Sequence, residues 1–302
     1  LTLTMAEGDR ICEVTRETGK VLQVGTQQRC EFGEIFLKAA AICRSGRLGG
    51  NLHALSSVGQ PDSAMKPEQE RGPFPEETIP EGLWSWDFWL GQAPLVPFCK
   101  ERWNYDFRWW FAYSGGQVTD WGVHHTDIAA WALGVDDQLP VSVEGTGELP
   151  SVEGGYDVAT SFDVTAKYAN GCEIRLTSGI NELILSGDRG RIRVNRGGLT
   201  GKPVEELTEK DNEELAVIMR ELMHGKQGGD HMRNFFECMA DGSLPVANVY
   251  SHVNTVNVCH MANICLRTGR PLQWDPQKRE FVADAQATAM MDREQRRGFE
   301  VT

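Results

Sequence analysis

This sequence of 302 residues lacks the features that mark several specialised classes of protein. No apolar run approaches the ~20 residues that a membrane-spanning helix needs, so we expect no membrane partner. The formal net charge is −13, whereas a nucleic-acid partner would favour a basic surface. The hydrophobic content of 40% with dispersed charge is typical of a soluble globular protein.

Cysteine pairs and phosphate-binding glycine motifs are also absent. The eight cysteines form no Cys-x-x-Cys pair, so we predict neither a disulfide framework nor a metal site. There is no Gly-x-Gly-x-x-Gly turn of the kind that cradles a dinucleotide, and no basic and apolar leader opens the chain. A reducing, cytoplasmic location is the simpler expectation, with export left open because we expect the true N-terminus to lie upstream.

The first 48 residues read as helix, strand and helix. Thr4 and Glu7 form a capping-box pattern before a helix over 5–18, which Gly19 ends. The apolar run 21–26 predicts a buried strand, and helical spacing predicts a second helix over 31–45. We interpret residues 1–48 as a remnant of a doubly wound, Rossmann-type domain.

Residues 49–302 show a different pattern, and we predict that they form a second domain. Strands are expected at 51–59 and, from residue 141 onward, in stretches of period-two alternation such as 156–168, with Asn170-Gly171 as a hairpin turn. Residues 60–82 read as an exposed loop. Helices close the chain. The fold class is therefore an α/β remnant plus an α+β domain, with a mostly antiparallel open sheet covered by helices. The predicted C-terminal helices lie at 213–223, 231–240 and 247–267.

Eight of the nine tryptophans lie between Trp84 and Trp131. Flat aromatic faces with a polar edge suit the apolar faces of sugar rings. Most of these rings are expected to fill a core or a subunit contact, and one or two to line a pocket.

The stretch from Tyr113 to Asp127 concentrates groups that can carry chemistry. If a helix begins near Asp120, then His124, Asp127 and Trp131 follow it along one face. An imidazole beside a carboxylate can take a proton from a hydroxyl. The structural alternative is that Asp120 caps the helix and His124 is an ordinary core histidine.

Three segments carry a resemblance to a known family. They are Val24-Gly-Thr-Gln-Gln-Arg29, Trp86-Asp-Phe-Trp-Leu-Gly91 and the block from Phe107 to Asp127, with His231-Met-Arg-Asn-Phe-Phe and Trp274-Asp-Pro in agreement. The sequence resembles the glucose–fructose oxidoreductase / inositol dehydrogenase (Gfo/Idh/MocA) family, in particular a bacterial subgroup with a distinctive C-terminal domain.

The resemblance implies an NAD(P)-dependent oxidoreductase acting on a sugar, polyol or related hydroxyl substrate. The family's Asp-x-Gly-x-His-x-x-Asp pattern implies that His124 is the general base and Asp120 its partner. It also implies a cofactor, NAD or NADP, contacted by Gln27 and Arg29. The residues expected to bind substrate are Arg108, Trp121, His125 and Asp127, although His125 is turned ~100° from His124 by helical periodicity.

The chain also departs from the family pattern. The glycine-rich loop and the Glu-Lys-Pro lysine of the family have no counterpart here. We therefore expect an N-terminally truncated chain that alone binds NAD(P) weakly or not at all.

Two other functions stay open. One is NAD-dependent cleavage of glycosides by transient oxidation, and the other is a non-catalytic carbohydrate-binding or oligomerisation module. In each case we expect a homo-oligomer, a dimer or tetramer built through the sheet.

Overall fold

A computed structural model describes residues 1–59, 72–83 and 85–301 of the protein. Residues 60–71 of the predicted loop, and Trp84, lie outside this range. The helices of the described part are α1 (Met5–Thr18), α2 (Ile35–Arg44), α3 (Trp86–Leu90), α4 (Trp121–Leu133), α5 (Lys202–Glu205), α6 (Glu209–Leu222), α7 (His231–Asp241), α8 (Val249–Thr268) and α9 (Ala285–Ala289). The strands are β1 (His53–Gly59), β2 (Ser142–Glu148), β3 (Ser161–Lys167), β4 (Glu173–Gly179), β5 (Glu182–Gly187), β6 (Gly190–Asn195), β7 (Gly198–Thr200), β8 (Leu272–Asp275) and β9 (Glu280–Phe281).

All of these strands join one sheet in the order β7-β6-β5-β1-β4-β3-β2-β8-β9. Strands β1 and β4 pair in parallel, and the remaining neighbours pair antiparallel. The protein therefore has an α/β fold with a mixed sheet. The hairpin predicted at Asn170-Gly171, β3–β4, is confirmed. A second hairpin is formed by β5 and β6, whereas the parallel β1–β4 pairing has no signature in the sequence.

One face of the sheet is covered by helices. On β3 the side chains of Phe162, Val164 and Ala166 are buried, while the residues between them are half-buried. Helix α4 packs on β1, and α8 packs on β2. Because side chains alternate across a strand, the opposite face carries the polar set, including the ion pair of Asp163 with Arg175.

Helix α1 begins and ends where the sequence predicts. The Thr4 hydroxyl accepts from the Glu7 amide, the Glu7 carboxylate accepts from the Thr4 amide, and Gly19 ends the helix in the left-handed conformation. The strand predicted over 21–26 is wrong. In the described part of the chain, only an isolated bridge between Gln23 and Asn248 involves this apolar run, and no neighbouring strand there forms a ladder with it.

The second helix starts later than predicted. Residues Phe32, Gly33 and Glu34 all have left-handed backbone angles, with φ of 58°, 64° and 60°, and regular α-helix begins at Ile35. Helix α2 packs on α4, and its buried residues join the same hydrophobic cluster as the sheet. The division of the chain at residue 48 stays a prediction. None of the helices in the described ranges has the length and apolarity to cross a membrane.

Candidate functional site

The loop before α4 is shaped by a glycine. Gly116 has a φ of +66°, and a Cβ atom there would lie 2.7 Å from the Cβ of Val158. This closely packed loop ends at Asp120, which occupies the N-cap position of α4. Its side chain makes no capping hydrogen bond. The helix therefore begins one residue after the carboxylate that the sequence analysis placed on its face.

Asp120 pairs with Arg108 and not with His124, contrary to our expectation. The Nε atom of Arg108 lies 3.1 Å from Oδ2 of Asp120. The described residues contain no hydrogen bond between Asp120 and His124. The reason is local: Asp120 has φ −80° and ψ −92°, outside the helical range, so the i to i+4 stacking of a helix does not start from it.

Asp120 and Arg108 stand between two cavities. One, of about 250 Å³, is lined by Trp121, Gln117 and Asn181 as well as this pair; we call it the Trp121 cavity. The other, of about 380 Å³, includes Glu7 and Ser114. Three of the residues predicted as site residues, Arg108, Asp120 and Trp121, thus meet at one opening.

His124 lies one turn into α4 and is half-buried. Its Nδ1 atom is buried and has no hydrogen-bond partner among the described residues. Burial, together with the charge of Arg196, lowers the pKa of His124 to about 4. The imidazole is therefore neutral near pH 7 and able to accept a proton.

Two predicted substrate contacts lie around His124. The ring of Trp121 is 6.0 Å from that of His124, and the Arg196 guanidinium lies 4.4 Å from the Trp121 ring centroid. His125 is buried and bonds through Nε2 to Oδ1 of Asn181, at 2.5 Å. Its ring is therefore connected to the wall of the Trp121 cavity through Asn181.

Asp127 is not placed to bind substrate, which corrects our expectation. Its carboxylate is fully buried and receives Nε and Nη2 of Arg29 at 2.9 and 2.6 Å. Nε2 of His252 lies 3.2 Å from the same carboxylate. Burial alone would raise the pKa of Asp127, but the charges of Arg29 and His252 outweigh it and hold that pKa well below its usual range.

Arg29 is likewise committed within the protein. It is 2% exposed, its Nη1 atom bonds to the Val246 carbonyl, and Nη2 also reaches Asp136 at 3.2 Å. The predicted cofactor contact by Arg29 is therefore corrected, because every nitrogen of its guanidinium has a protein acceptor. Gln27 differs, since its buried Oε1 has no partner in the described part of the chain.

Sequence reasoning missed His252, Arg196 and Asn181. His252 comes from α8, Arg196 from the end of β6, and Asn181 from the turn before β5. Their spacing in the sequence does not connect them to α4, because the tertiary fold brings these separate elements next to it. The Gly197-Gly198 pair predicts a hairpin turn directly after Arg196, and it is the one local signal near these three residues.

Comparisons with solved structures show a shared fold. The chain is 14% identical to aldose-aldose oxidoreductase from Caulobacter crescentus complexed with glycerol, with 90% of this chain and 69% of that chain covered and a TM-score of 0.55. For WlbA dehydrogenase from Bordetella pertussis in complex with NADH and UDP-GlcNAcA the identity is 13%, the coverage 91% and 70%, and the TM-score 0.59. The chain is 16% identical to a putative myo-inositol dehydrogenase from Sinorhizobium meliloti 1021, with 90% of this chain and 70% of that chain covered and a TM-score of 0.53. A comparison with curated protein sequences gives no match.

These neighbours define the class of fold as an α/β fold with a mixed sheet. The family model described as "Oxidoreductase family, C-terminal alpha/beta domain" matches residues 68–301. The chain therefore belongs to the Gfo/Idh/MocA oxidoreductase family, which includes inositol dehydrogenase.

Proposed function

We propose that this protein oxidises a hydroxyl group of a sugar or polyol in an NAD(P)-dependent reaction, with His124 as the general base. The observation that carries the proposal is the state of His124. Its ring is neutral, one buried nitrogen has no protein partner, and it lies beside the aromatic wall of a cavity. A neutral imidazole can take the proton of a substrate hydroxyl.

Asp120 and Arg108 are proposed to hold the substrate. A carboxylate accepts hydrogen bonds from sugar hydroxyls and a guanidinium donates them, so this ion pair offers both kinds of partner at the opening of the Trp121 cavity. Trp121 supplies an apolar face to a sugar ring. Asp120 therefore orients the substrate, and the proton goes to His124.

Only one of the two predicted cofactor contacts fits that role. Gln27 has an amide oxygen without a partner, whereas Arg29 has none of its nitrogens free. We propose Gln27 as the contact to a nicotinamide dinucleotide. The nicotinamide, when bound, supplies the hydride acceptor.

The proposal is tested by replacing His124 with Asn in the full chain. Reduction of NAD⁺ or NADP⁺ is followed with a panel of aldoses and polyols. Loss of the general base should lower kcat by about 10²–10⁴-fold. The matched control is His53→Asn, because His53 is exposed on β1 and lies outside the site. Full activity of His124→Asn would sink the assignment.

The same assays separate the other two functions. A glycoside-cleaving enzyme would release phenol from aryl glycosides without net formation of NADH, and His124→Asn would also stop that release. A non-catalytic module would bind sugar by calorimetry and show no turnover in either assay. Neutral His124 can serve as the base in both reactions, so the net formation of NADH distinguishes them.

We also propose that the protein is a homo-oligomer that associates through the open face of its sheet. That face carries polar side chains and exposed ion pairs, as a wet subunit contact does.

A further inference from the structure

Arg196 lies directly after β6 and beside the candidate site. Its guanidinium carbon is 4.4 Å from the centroid of the Trp121 ring and 4.8 Å from that of Phe32. Rings at this range attract a cation and exclude water from part of its surface. The side chain is therefore held on an aromatic surface next to His124.

No acidic residue neutralises this cation by direct contact. In the described ranges Arg196 has no carboxylate within ion-pair distance, and its buried Nε atom has no hydrogen-bond partner. Burial lowers the pKa of Arg196, and Glu31 offsets that effect only through its more distant charge. By contrast, Arg193, which lies three residues earlier within β6, is paired with Glu182.

Two further unpartnered nitrogens surround the same cation. The charge of Arg196 contributes, after burial, to the lowered pKa of both His124 and His125. In each of these rings Nδ1 is buried without a hydrogen-bond partner. Buried polar atoms in folded proteins are normally satisfied, and the buried Nε–H of Arg196 can only donate, so among the described residues this guanidinium lacks an acceptor. Nδ1 of His125 is itself an acceptor, because Nε2 of the same ring donates to Asn181.

The backbone next to Arg196 is strained. Phe32, whose ring lies under the guanidinium, has a φ of 58°, and the next two residues are also left-handed. A left-handed conformation is unfavourable for an aromatic residue, and such conformations concentrate at functional sites. The ring of Phe32 forms one wall beside Arg196.

We propose that Arg196 binds an oxyanion of the substrate, a carboxylate or a phosphate, so that the substrate is an acidic sugar. This rests on the proposed function, because the anion at Arg196 places the rest of the sugar beside His124. A planar guanidinium forms two parallel hydrogen bonds with either group through its edge, which stacking on aromatic rings leaves free.

An anion bound at Arg196 would also make His124 a stronger base. Arg196 is one cause of the low pKa of His124. An anion that neutralises this charge raises the pKa of His124 towards the operating pH, where general bases work best. A neutral sugar gives no such change.

The test measures binding, so that it does not depend on turnover. The full chain is titrated by calorimetry with D-glucuronate, D-glucose 6-phosphate and D-glucose. We expect at least one of the two anionic sugars to bind about tenfold or more tightly than glucose, and the better of the two identifies a carboxylate or a phosphate as the ligand. Arg196→Gln should lose this preference, and Arg196→Lys should lose part of it. Arg193→Gln, the matched control on the same strand, should keep it.

A second readout is the His124 ring itself. In an NMR titration of ¹⁵N-labelled histidines, the preferred anion should raise the pKa of His124 in the native protein and leave it unchanged in a folded Arg196→Gln variant. His124→Asn should lose turnover and keep the preference for the anion, so failure of the catalytic proposal is distinguishable. The inference is overturned if neither anionic sugar binds more tightly than glucose, or if Arg196→Gln retains the preference.

Discussion

At the scale of single residues, the buried carboxylate of Asp127 is the contact that ties α4 to the first part of the chain. It faces Arg29 and His252, and Asp136 adds a second carboxylate beside Arg29. A guanidinium, an imidazole and two carboxylates therefore meet here, and Arg29, Asp127 and His252 are buried. A buried set of this kind tolerates the loss of a member poorly, because the remaining charge is left without a partner.

We expect Asp127→Asn to lower the free energy of unfolding by about 3–5 kcal/mol. The measurement is urea denaturation followed by tryptophan fluorescence. Asp163→Asn is the control, since Asp163 pairs with Arg175 on the exposed face and such pairs contribute about 1 kcal/mol or less. Equal effects of the two changes would show that the buried set does not anchor α4.

A second residue-scale prediction concerns acid stability. Burial lowers the pKa of His260 to about 3, and the residue is only 7% exposed. The unfolded chain takes up this proton near pH 6.5, whereas the folded protein does not. The contribution of neutral His260 to the free energy of unfolding is therefore fully present above pH 6.5 and is lost as the pH falls towards about 3.

His260→Gln should flatten the slope of unfolding free energy against pH between about 4 and 6.5. The change corresponds to one proton, or about 1.4 kcal/mol per pH unit at most. Urea titrations across this range measure it, with His53→Gln as a solvent-exposed control. Carboxylates with lowered pKa values, such as Asp127, act below this window. An unchanged slope in His260→Gln would contradict the prediction.

At the scale of elements, the start of α4 depends on the loop that delivers Asp120. Gly116 combines a positive φ with a close approach to Val158, and either constraint alone disfavours a side chain there. The loop position fixes which way the Asp120 carboxylate points, and therefore its pairing with Arg108.

Gly116→Ala should destabilise the protein by about 1–3 kcal/mol through backbone strain and the clash with Val158. We also expect a higher KM, because Asp120 moves away from Arg108. Adding Val158→Ala removes the contacts with the two methyl groups but leaves the 2.7 Å contact with Cβ and the backbone strain, so the double variant should recover only part of the stability. Gly171→Ala lies in the β3–β4 turn with open space around it, and it should change stability and leave KM unaltered.

At the scale of the whole molecule, the sheet presents one covered and one open face. The open face carries the ion pairs of Lys167 with Glu144, Asp163 with Arg175, and Glu182 with Arg193. Thr165 lies near the middle, paired in register with Glu144 and Arg175. A second copy of the chain could cover this surface with polar contacts and water.

Light scattering at low micromolar concentration should give at least twice the chain mass of 33.6 kDa. Thr165→Arg places a further charge at the middle of the open face and should shift the protein towards a monomer. Glu213→Arg on exposed α6 is the control for added positive charge. A stable wild-type monomer would contradict association through the sheet.

Local order in this protein is determined by the sequence itself. The capping box of Thr4 and Glu7, the left-handed Gly19 and the alternation along β3 all involve neighbours in the chain, and each predicts the observed element. The family motif around Asp120 and His124 also predicts that the candidate site lies on α4. These signals are readable because helix and strand periodicity act over a few residues.

Only the tertiary structure decided which charged groups meet. Asp127 pairs with Arg29, 98 residues away, and Asp120 pairs with Arg108. Arg196, at the end of β6, lies over the ring of Trp121, which is next to His124. The apolar run at 21–26 reads as a strand, yet it has only one bridging partner, at Gln23. Strand pairing and buried ion pairs depend on distant elements that supply a ladder edge or an opposite charge, and the sequence around a residue does not specify those partners.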